Sequence, residues 1–523
     1  MTKQLKSYVG GQWVAGNGGW RPLHNPTTGA QIAEASTAGV DMGAAVRYAR
    51  EHGAGLRSLS FAERGACLAA AAKALHAFRD ELLALSTESG GNTRGDAKFD
   101  VDGATGTLQY YAKLGERLGE ATCFRDGEPL QLARSPRFAG QHVWTPLQGV
   151  AVHINAFNFP AWGFAEKAAV AWLAGLPVIT KPATSTAVLT VRMVEILAES
   201  GALPTGSLSL ITGGAGDLLD HLGYQDVLAF TGGSNTALTL RQHPAVLERG
   251  CRLNVEADSL NAAVLGPDVD PDSDTFELFV GDVVRDMTQK AGQKCTAIRR
   301  VFVPAKRMAA AREALVEALG AIRVGDPALK EVRMGPLASA SQLADVREGV
   351  ARLQKVATPA LGDGGRGELV GVNGDEGYFM SPVLLVAEDP RAAIAHDREV
   401  FGPVATLLPY KDTAEVGELV GLGQGGLVAS IYTDKPAVAT EVALALAPHS
   451  GRVNIGGEKV AEHSLGPGAV LPMLLHGGPG RAGGGEELGG PRGLQLYLQR
   501  TALQGYKPIL EKLVADLPSF EAS

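Results

Sequence analysis

Cysteine is scarce: the chain has four, Cys67, Cys123, Cys251 and Cys295, in 523 residues. So few thiols in so long a chain do not make a disulfide framework. Long apolar runs are missing as well. The longest, Ala168 to Ile179, is too short to span a bilayer and is broken by Gly175-Leu176-Pro177. The opening stretch, Met1 to Lys6, carries none of the apolar character of a signal peptide. Together these shortages predict a cytoplasmic, reducing setting with no membrane partner, in which a reactive thiol would survive. A basic excess is also absent. The net charge of −8 leaves nothing to meet nucleic-acid phosphates, so no nucleic-acid partner is expected. We find no internal repeat and expect no metal site.

What is present is ordinary globular material, 45% hydrophobic and 20% charged, long enough for two or three packed units. Tyr8 to Val14 and Asn25 to Gly29 read as strands and turns. A capping box at Ser60 and Glu63 opens a helix. Leu68, Ala71, Leu75, Phe78 and Leu82 carry it at helical spacing to Gly90. From about 148 to 265, short apolar strands alternate with helices. Strands are expected at 149–154, 177–180, 208–211, 227–230 and 262–265, and helices at 161–173 and 187–199. That alternation predicts a parallel sheet covered on both faces, with ligands bound at the carboxyl ends of its strands. A second α/β unit begins near Ser259, with a helix over 276–290, a strand at 300–303 and a helix over 307–319. The Gly- and Pro-rich stretch from Leu465 to Gly493 reads as a long, functional loop. The alternation in Leu494 to Leu498 suggests a strand used in assembly.

Several segments carry chemistry. Cys295 lies in Gly292-Gln293-Lys294-Cys295-Thr296, where small and polar neighbours leave a thiol reachable. Lys294 would favour the thiolate if its charge lay close. On its own, a cysteine is more often a buried structural thiol. Glu256 ends an apolar strand, at the ligand edge of the sheet. Burial would raise its pKa and suit it to act as a base on water, although a strand-end Glu is more often an ion-pair partner. Asn158, in Asn155-Ala156-Phe157-Asn158-Phe159-Pro160, could donate its amide to a developing oxyanion or cap the next helix. Lys181, in Lys181-Pro182-Ala183, follows a strand and could meet ribose hydroxyls or a phosphate; otherwise it is a solvated loop lysine. Phe230-Thr231-Gly232-Gly233-Ser234 ends a strand and opens a helix, a place where backbone N–H groups approach an anion.

In this order the segments are far more specific than any one of them. Together with Glu399-Val400-Phe401-Gly402-Pro403-Val404, Arg452-Val453-Asn454 and Glu487-Leu488-Gly489, they resemble the aldehyde dehydrogenase superfamily over essentially the whole chain. The resemblance implies an α/β fold with three parts. A Rossmann-like cofactor domain would cover 1–132 and 151–258, and an α/β catalytic domain 259–485. A β-strand oligomerisation arm would cover 133–150 and 486–523. It implies a homodimer, or a tetramer. It also implies that Cys295 attacks an aldehyde, that Asn158 stabilises the oxyanion, and that Glu256 activates water to hydrolyse the thioester. Lys167 would support the site and Glu487 would be a second, proton-relaying carboxylate. The cofactor would be held by Phe157, Asn158, Lys181, Ala183, Thr184, Gly214, Thr231, Gly232, Gly233, Ser234, Glu399 and Phe401.

Position 184 bears on the cofactor. Many NAD-preferring relatives have a Glu there, whose charge would repel a 2′-phosphate. Thr184 is neutral and Lys181 is near, so NADP is expected, with NAD as the weaker alternative. The chain departs from the family at Glu256-Ala257-Asp258-Ser259-Leu260, at the short loop Thr212 to Gly216, and at Gly233. The first departure and the run His476 to Gly485 resemble the branch that acts on ring-opened CoA-thioester semialdehydes in aerobic aromatic breakdown. A small, CoA-linked aldehyde is therefore the expected partner. With the chain ending at Ser523, a stand-alone enzyme without a fused hydratase domain is expected. Four rival readings remain: an acylating dehydrogenase that passes the acyl group to CoA, a silent structural or binding relative, a cofactor-free cysteine hydrolase, and a general aldehyde dehydrogenase of other substrate range. Glu256 argues against the first, and the Cys295, Glu256 and Asn158 set against the second.

Overall fold

The computed structural model describes residues 2–520. Met1 and the last three residues of the 486–523 segment lie outside the described residues. Two seven-stranded sheets dominate. The first runs in the order Arg252–Glu256, Val227–Thr231, Ala151–Ile154, Val178–Lys181, Leu208–Leu210, Ser7–Val9 and Gln12–Val14. Its first five strands are parallel and its last two antiparallel. Helices at Trp162–Ala174 and Ala187–Ser200 form its crossovers. Every residue of Trp162–Ala174 is buried, as expected of an apolar helix packed against a parallel sheet. Gly175, at φ 93°, ends it in the left-handed conformation that a side chain would resist.

The second sheet runs Thr358–Leu361, Val383–Val386, Val404–Tyr410, Arg300–Pro304, Ala262–Leu265, Gly426–Tyr432 and Ser450–Gly456. All but the first strand are parallel. The chain crosses from one sheet to the other between Glu256 and Ala262, so the site residues fall at the seam. A third sheet of three antiparallel strands joins Phe124–Gln131, Phe138–Pro146 and Leu498–Tyr506. No helix among the described residues is long and apolar enough to cross a membrane.

Three sequence expectations change. The helix from Ser60 to Gly90 keeps its capping box but is two helices, Phe61–Ala77 and Arg79–Gly90. Phe78, at φ −106° and ψ 18°, interrupts it, and its ring is 40% exposed. The apolar spacing passed through Phe78, but the backbone did not follow. Leu494 to Tyr497 is not a strand. It closes a 3-10 segment, Gly490–Tyr497, and the strand that pairs with Phe138–Pro146 begins at Leu498. The stretch from 465 to 493 is not wholly loop. Leu475–Gly477 and Glu486–Leu488 form a two-stranded antiparallel ribbon inside it.

Candidate active site

The site is assembled from four pieces of chain. Asn158 lies in the turn after Ala151–Ile154. It does not cap the helix that follows: the N-cap is Ala161, and Asp100 accepts from the backbone N–H of Trp162 at 2.7 Å. The Asn158 amide is thus left for another partner. Glu256 ends the strand Arg252–Glu256, level with Thr231 on the neighbouring strand. Cys295 follows a backbone elbow in which Lys290, Ala291 and Gly292 all have positive φ (54°, 52° and 68°). A Cβ on Gly292 would lie 2.2 Å from the Gly402 carbonyl oxygen, so the elbow requires glycine there. The fourth piece is the ribbon 475–488. A cavity of about 10 Å³, close to the volume of one water, is lined by Asn158, Phe159, Trp162, Lys167, Glu256 and Cys295 among others.

The electrostatics of this pocket differ from the sequence reading in two ways. Lys294 does not serve the thiol. Its Nζ donates to Asp286 at 2.6 Å and to Gln289 at 2.9 Å, buried and turned away. Burial and then the Glu256 charge push the Cys295 thiol well above its ordinary value, although the side chain remains partly exposed. Glu256 is not raised by burial as expected. Burial does push it upward, but His476, then Lys167 and the Cys295 thiol, more than offset that and hold the carboxyl below its usual range. The His476 Nε2 lies 3.2 Å from Glu256 Oε2 and 3.9 Å from Cys295 Sγ. Behind them, Lys167 Nζ bridges Glu166 at 2.8 Å and Glu487 at 3.0 Å, and Asn254 donates to Glu487 at 3.1 Å. Burial opposes the Lys167 charge, but the carboxylates of Glu166, Glu487 and Glu256 outweigh it and raise its pKa. Atoms of Glu256, Cys295 and His476 lie within 4.8 Å of one another, as do those of Glu166, Glu256 and Glu487.

His476 and Glu166 escaped the sequence reading. His476 is fully buried beside Trp162, with ring centroids 5.7 Å apart. Its sequence signal was a lone histidine at the start of a glycine-rich run. Its meaning lies in pairing with Glu487, opposite it in the ribbon.

An open cleft of about 1140 Å³ adjoins the small cavity. Phe157, Asn158, Ala183, Thr231, Gly232, Gly233, Ser234, Glu399 and Phe401 line it, together with Glu256 and Cys295. Phe157 and Phe401 meet edge to face, centroids 5.8 Å apart. Glu399 accepts from the Ser259 N–H at 3.0 Å and from Arg299, whose guanidinium lies 5.2 Å from the Phe401 ring centroid. Lys181, Thr184 and Gly214 stand outside that lining, Lys181 as the last residue of the strand Val178–Lys181 and the other two beyond the carboxyl ends of neighbouring strands. Lys181 is partly buried and Thr184 opens a short 3-10 turn. Asp258, part of one family departure, accepts from both the N–H (3.2 Å) and the hydroxyl (2.7 Å) of Ser234. One of the helix N-terminal donors expected for a phosphate therefore faces a carboxylate.

The sequence pattern of the aldehyde dehydrogenase family matches residues 13–503. The 3,4-dehydroadipyl-CoA semialdehyde dehydrogenase of Aromatoleum evansii is 45% identical over 478 residues, covering 91% of this chain and 93% of that protein. The α-ketoglutaric semialdehyde dehydrogenase of Bacillus subtilis is 30% identical, over 82% of this chain and 85% of that protein. Among solved structures, 3,6-anhydro-L-galactose dehydrogenase in complex with NAP superposes with a TM-score of 0.84 at 23% identity. That match covers 96% of this chain and 100% of the other. The NAD+ complex of aldehyde dehydrogenase from Bacillus cereus gives 0.83 at 24% identity, covering 97% of each chain. With the aldehyde dehydrogenase fold, the family pattern over nearly its whole length and a relative this similar, the chain belongs to the aldehyde dehydrogenase family.

Proposed function

We propose that the chain oxidises a CoA-thioester semialdehyde of the 3,4-dehydroadipyl-CoA semialdehyde type to its carboxylate, with NADP as the hydride acceptor. The observation that carries the reaction class is the convergence of Asn158, Glu256 and Cys295 on one cavity the size of a water. Cys295 attacks the aldehyde carbon, and the Asn158 amide lies on the same cavity to receive the developing oxyanion. After oxidation the acyl group is a Cys295 thioester, and Glu256 takes a proton from the water that hydrolyses it. Behind Glu256, the Glu487 carboxylate, held by the Lys167 ammonium, takes that proton onward. Glu256, ionised and next to Cys295, favours hydrolysis over transfer to CoA.

The cleft fits a dinucleotide. It is large and carries the aromatic pair Phe157 and Phe401, and Glu399 beside them can accept from ribose hydroxyls. When bound, the cofactor accepts the hydride. Thr184, with Lys181 nearby, supports NADP because no carboxylate stands at position 184. The substrate assignment rests on the similarity to the Aromatoleum protein and on the resemblance of segments 256–261 and 476–485 to the branch acting on CoA-linked semialdehydes. We read residues 1–132 with 151–258 as the cofactor unit and 259–485 as the catalytic unit. Residues 133–150 and 486–523 we read as the assembly arm of a cytoplasmic homodimer or tetramer. The test is a panel of free and CoA-linked semialdehydes with each cofactor. The highest kcat/KM is expected for a CoA-linked six-carbon semialdehyde with NADP, without added CoA. A requirement for free CoA, or equal rates with free aldehydes, would overturn the reading.

A further inference from the structure

The glycine-rich stretch before Glu487 is part of the site. In the ribbon Leu475–Gly477 and Glu486–Leu488, His476 stands directly opposite Glu487. Opposed residues of an antiparallel pair project to the same face, and here both reach the buried charges. The ribbon is fastened to the strand that carries Glu256. Gly485 N–H donates to the Val255 carbonyl at 3.1 Å, Glu486 N–H to Asn254 Oδ1 at 3.0 Å, and Ala257 N–H to the Ala482 carbonyl at 3.0 Å. A Cβ on Gly483 or Gly485 would come within 2.2 or 2.5 Å of the Val255 oxygen, so these glycines permit the approach. The family reading of the chain uses Glu487 from this ribbon but gives His476 nothing to do.

We propose that His476 is a positioning residue of the reaction: donating Nε2–H to Glu256 Oε2, it fixes that carboxylate against Cys295 so that one base serves the thiol and then the hydrolytic water. The contacts assign the donor. Nε2 lies 3.2 Å from Glu256 Oε2 and 3.9 Å from Cys295 Sγ, the carboxylate being the nearer and stronger acceptor, while Nδ1 is buried and has no hydrogen-bond partner. A proton on Nε2 is therefore the one that meets an acceptor. With Oε2 so occupied, Glu256 Oε1 has no partner and is free to accept. In the first step the Cys295 S–H bond breaks as the sulfur–carbon bond to the aldehyde forms. The thiol proton passes to Glu256, and from there to the aldehyde-derived oxygen or to the Glu487 carboxylate, whose oxygens lie within 4.8 Å of those of Glu256. In the last step a water O–H breaks, its proton goes to Glu256, its oxygen bonds the acyl carbon, and the sulfur leaves.

The consequence is a pH dependence. Five charged or titratable groups face Glu256: His476 and Glu487 from the ribbon, Glu166 and Lys167 from the helix Trp162–Ala174, and Cys295 from the elbow. Arg452, from the strand Ser450–Gly456, adds a more distant positive charge. Removing His476 takes away the largest influence holding Glu256 down and leaves Lys167 and the thiol alone against burial and the two neighbouring carboxylates, so the acid limb of kcat moves to higher pH. His476→Leu is expected to shift that limb by about one unit or more, equivalent to about tenfold in rate on the acid side. Activity should recover toward the wild-type plateau at high pH. His476→Gln, which keeps an N–H donor, should restore most of the limb. Rate constants for iodoacetamide alkylation of Cys295 against pH, taken without substrate, should shift in the same order. Limbs that coincide in wild type, Leu and Gln variants would overturn the proposal, as would equal losses in both variants at every pH. The proposal rests on Glu256 being the base. Wild-type turnover by Glu256→Gln would defeat that reading; a normal limb in His476→Leu with an inactive Glu256→Gln would defeat only this one.

Discussion

Glu256 ends a strand of the first sheet, Glu399 precedes a strand of the second, and both line the same cleft. Glu256 is buried and Glu399 partly buried, and both have a basic partner near 3 Å: His476 at 3.2 Å from one, Arg299 at 3.0 Å from the other. Yet they are driven in opposite directions. Glu256 is held below the usual carboxylate range, because His476, Lys167 and the thiol together outweigh burial. Glu399 is pushed up to about 7, because burial, with Asp258 adding to it, outweighs Arg299 and the Ser259 N–H. Burial alone does not set a carboxylate's proton affinity; the number and sign of the groups that share its pocket do. The Cys295 side of the cleft thus keeps an ionised carboxylate, and the Phe401 side keeps one pushed up to about 7.

The largest effect expected from breaking this contrast is on the reacting side. Glu256→Gln removes the base, and steady turnover should fall by about 10²- to 10⁴-fold, read in the absorbance of the reduced cofactor. A smaller effect is expected on the cofactor side. Glu399 is raised, so it gains its charge only as pH climbs through about 7. The ionised form is the better acceptor for ribose hydroxyls. Dinucleotide affinity should therefore rise several-fold between about pH 6 and about pH 8, measured by calorimetry. Glu399→Gln should flatten that dependence; an unchanged slope would separate Glu399 from the cofactor. A still narrower effect is expected at the distal end. Thr184→Glu should weaken NADP by about tenfold relative to NAD through charge repulsion. Equal losses for both would discount the 2′-phosphate argument.

Sequence pattern reached the regular parts of the molecule and stopped at the irregular ones. The strand at 262–265 and the helix over 187–199 stand within a residue of where apolar periodicity places them, because buried parallel strands and their crossovers leave a strong pattern. Phe78 broke the first long helix, and Leu494 to Tyr497 alternated without becoming a strand, since tertiary packing overrides local pattern. Cys295, Glu256 and Asn158 each end or follow such an element, so their gathering at one pocket was legible; their roles came only from the family resemblance. The direction of the Glu256 shift was not, because it depends on His476, 220 residues away in the chain. Nor was the turning away of Lys294, which depends on Asp286 and Gln289. A two-stranded ribbon of three residues a side leaves no periodicity to read, only a histidine, a run of glycines and a glutamate.

The account centres on Cys295 carrying an acyl group that Glu256 releases to water. It is tested most directly by intact-mass measurement of Glu256→Gln, denatured after mixing with aldehyde and NADP. The account predicts one covalent acyl adduct per chain on Cys295, formed together with one equivalent of NADPH and absent in Cys295→Ala. Reduced cofactor appearing without an adduct, or an adduct that maps to Cys67, Cys123 or Cys251, would contradict it.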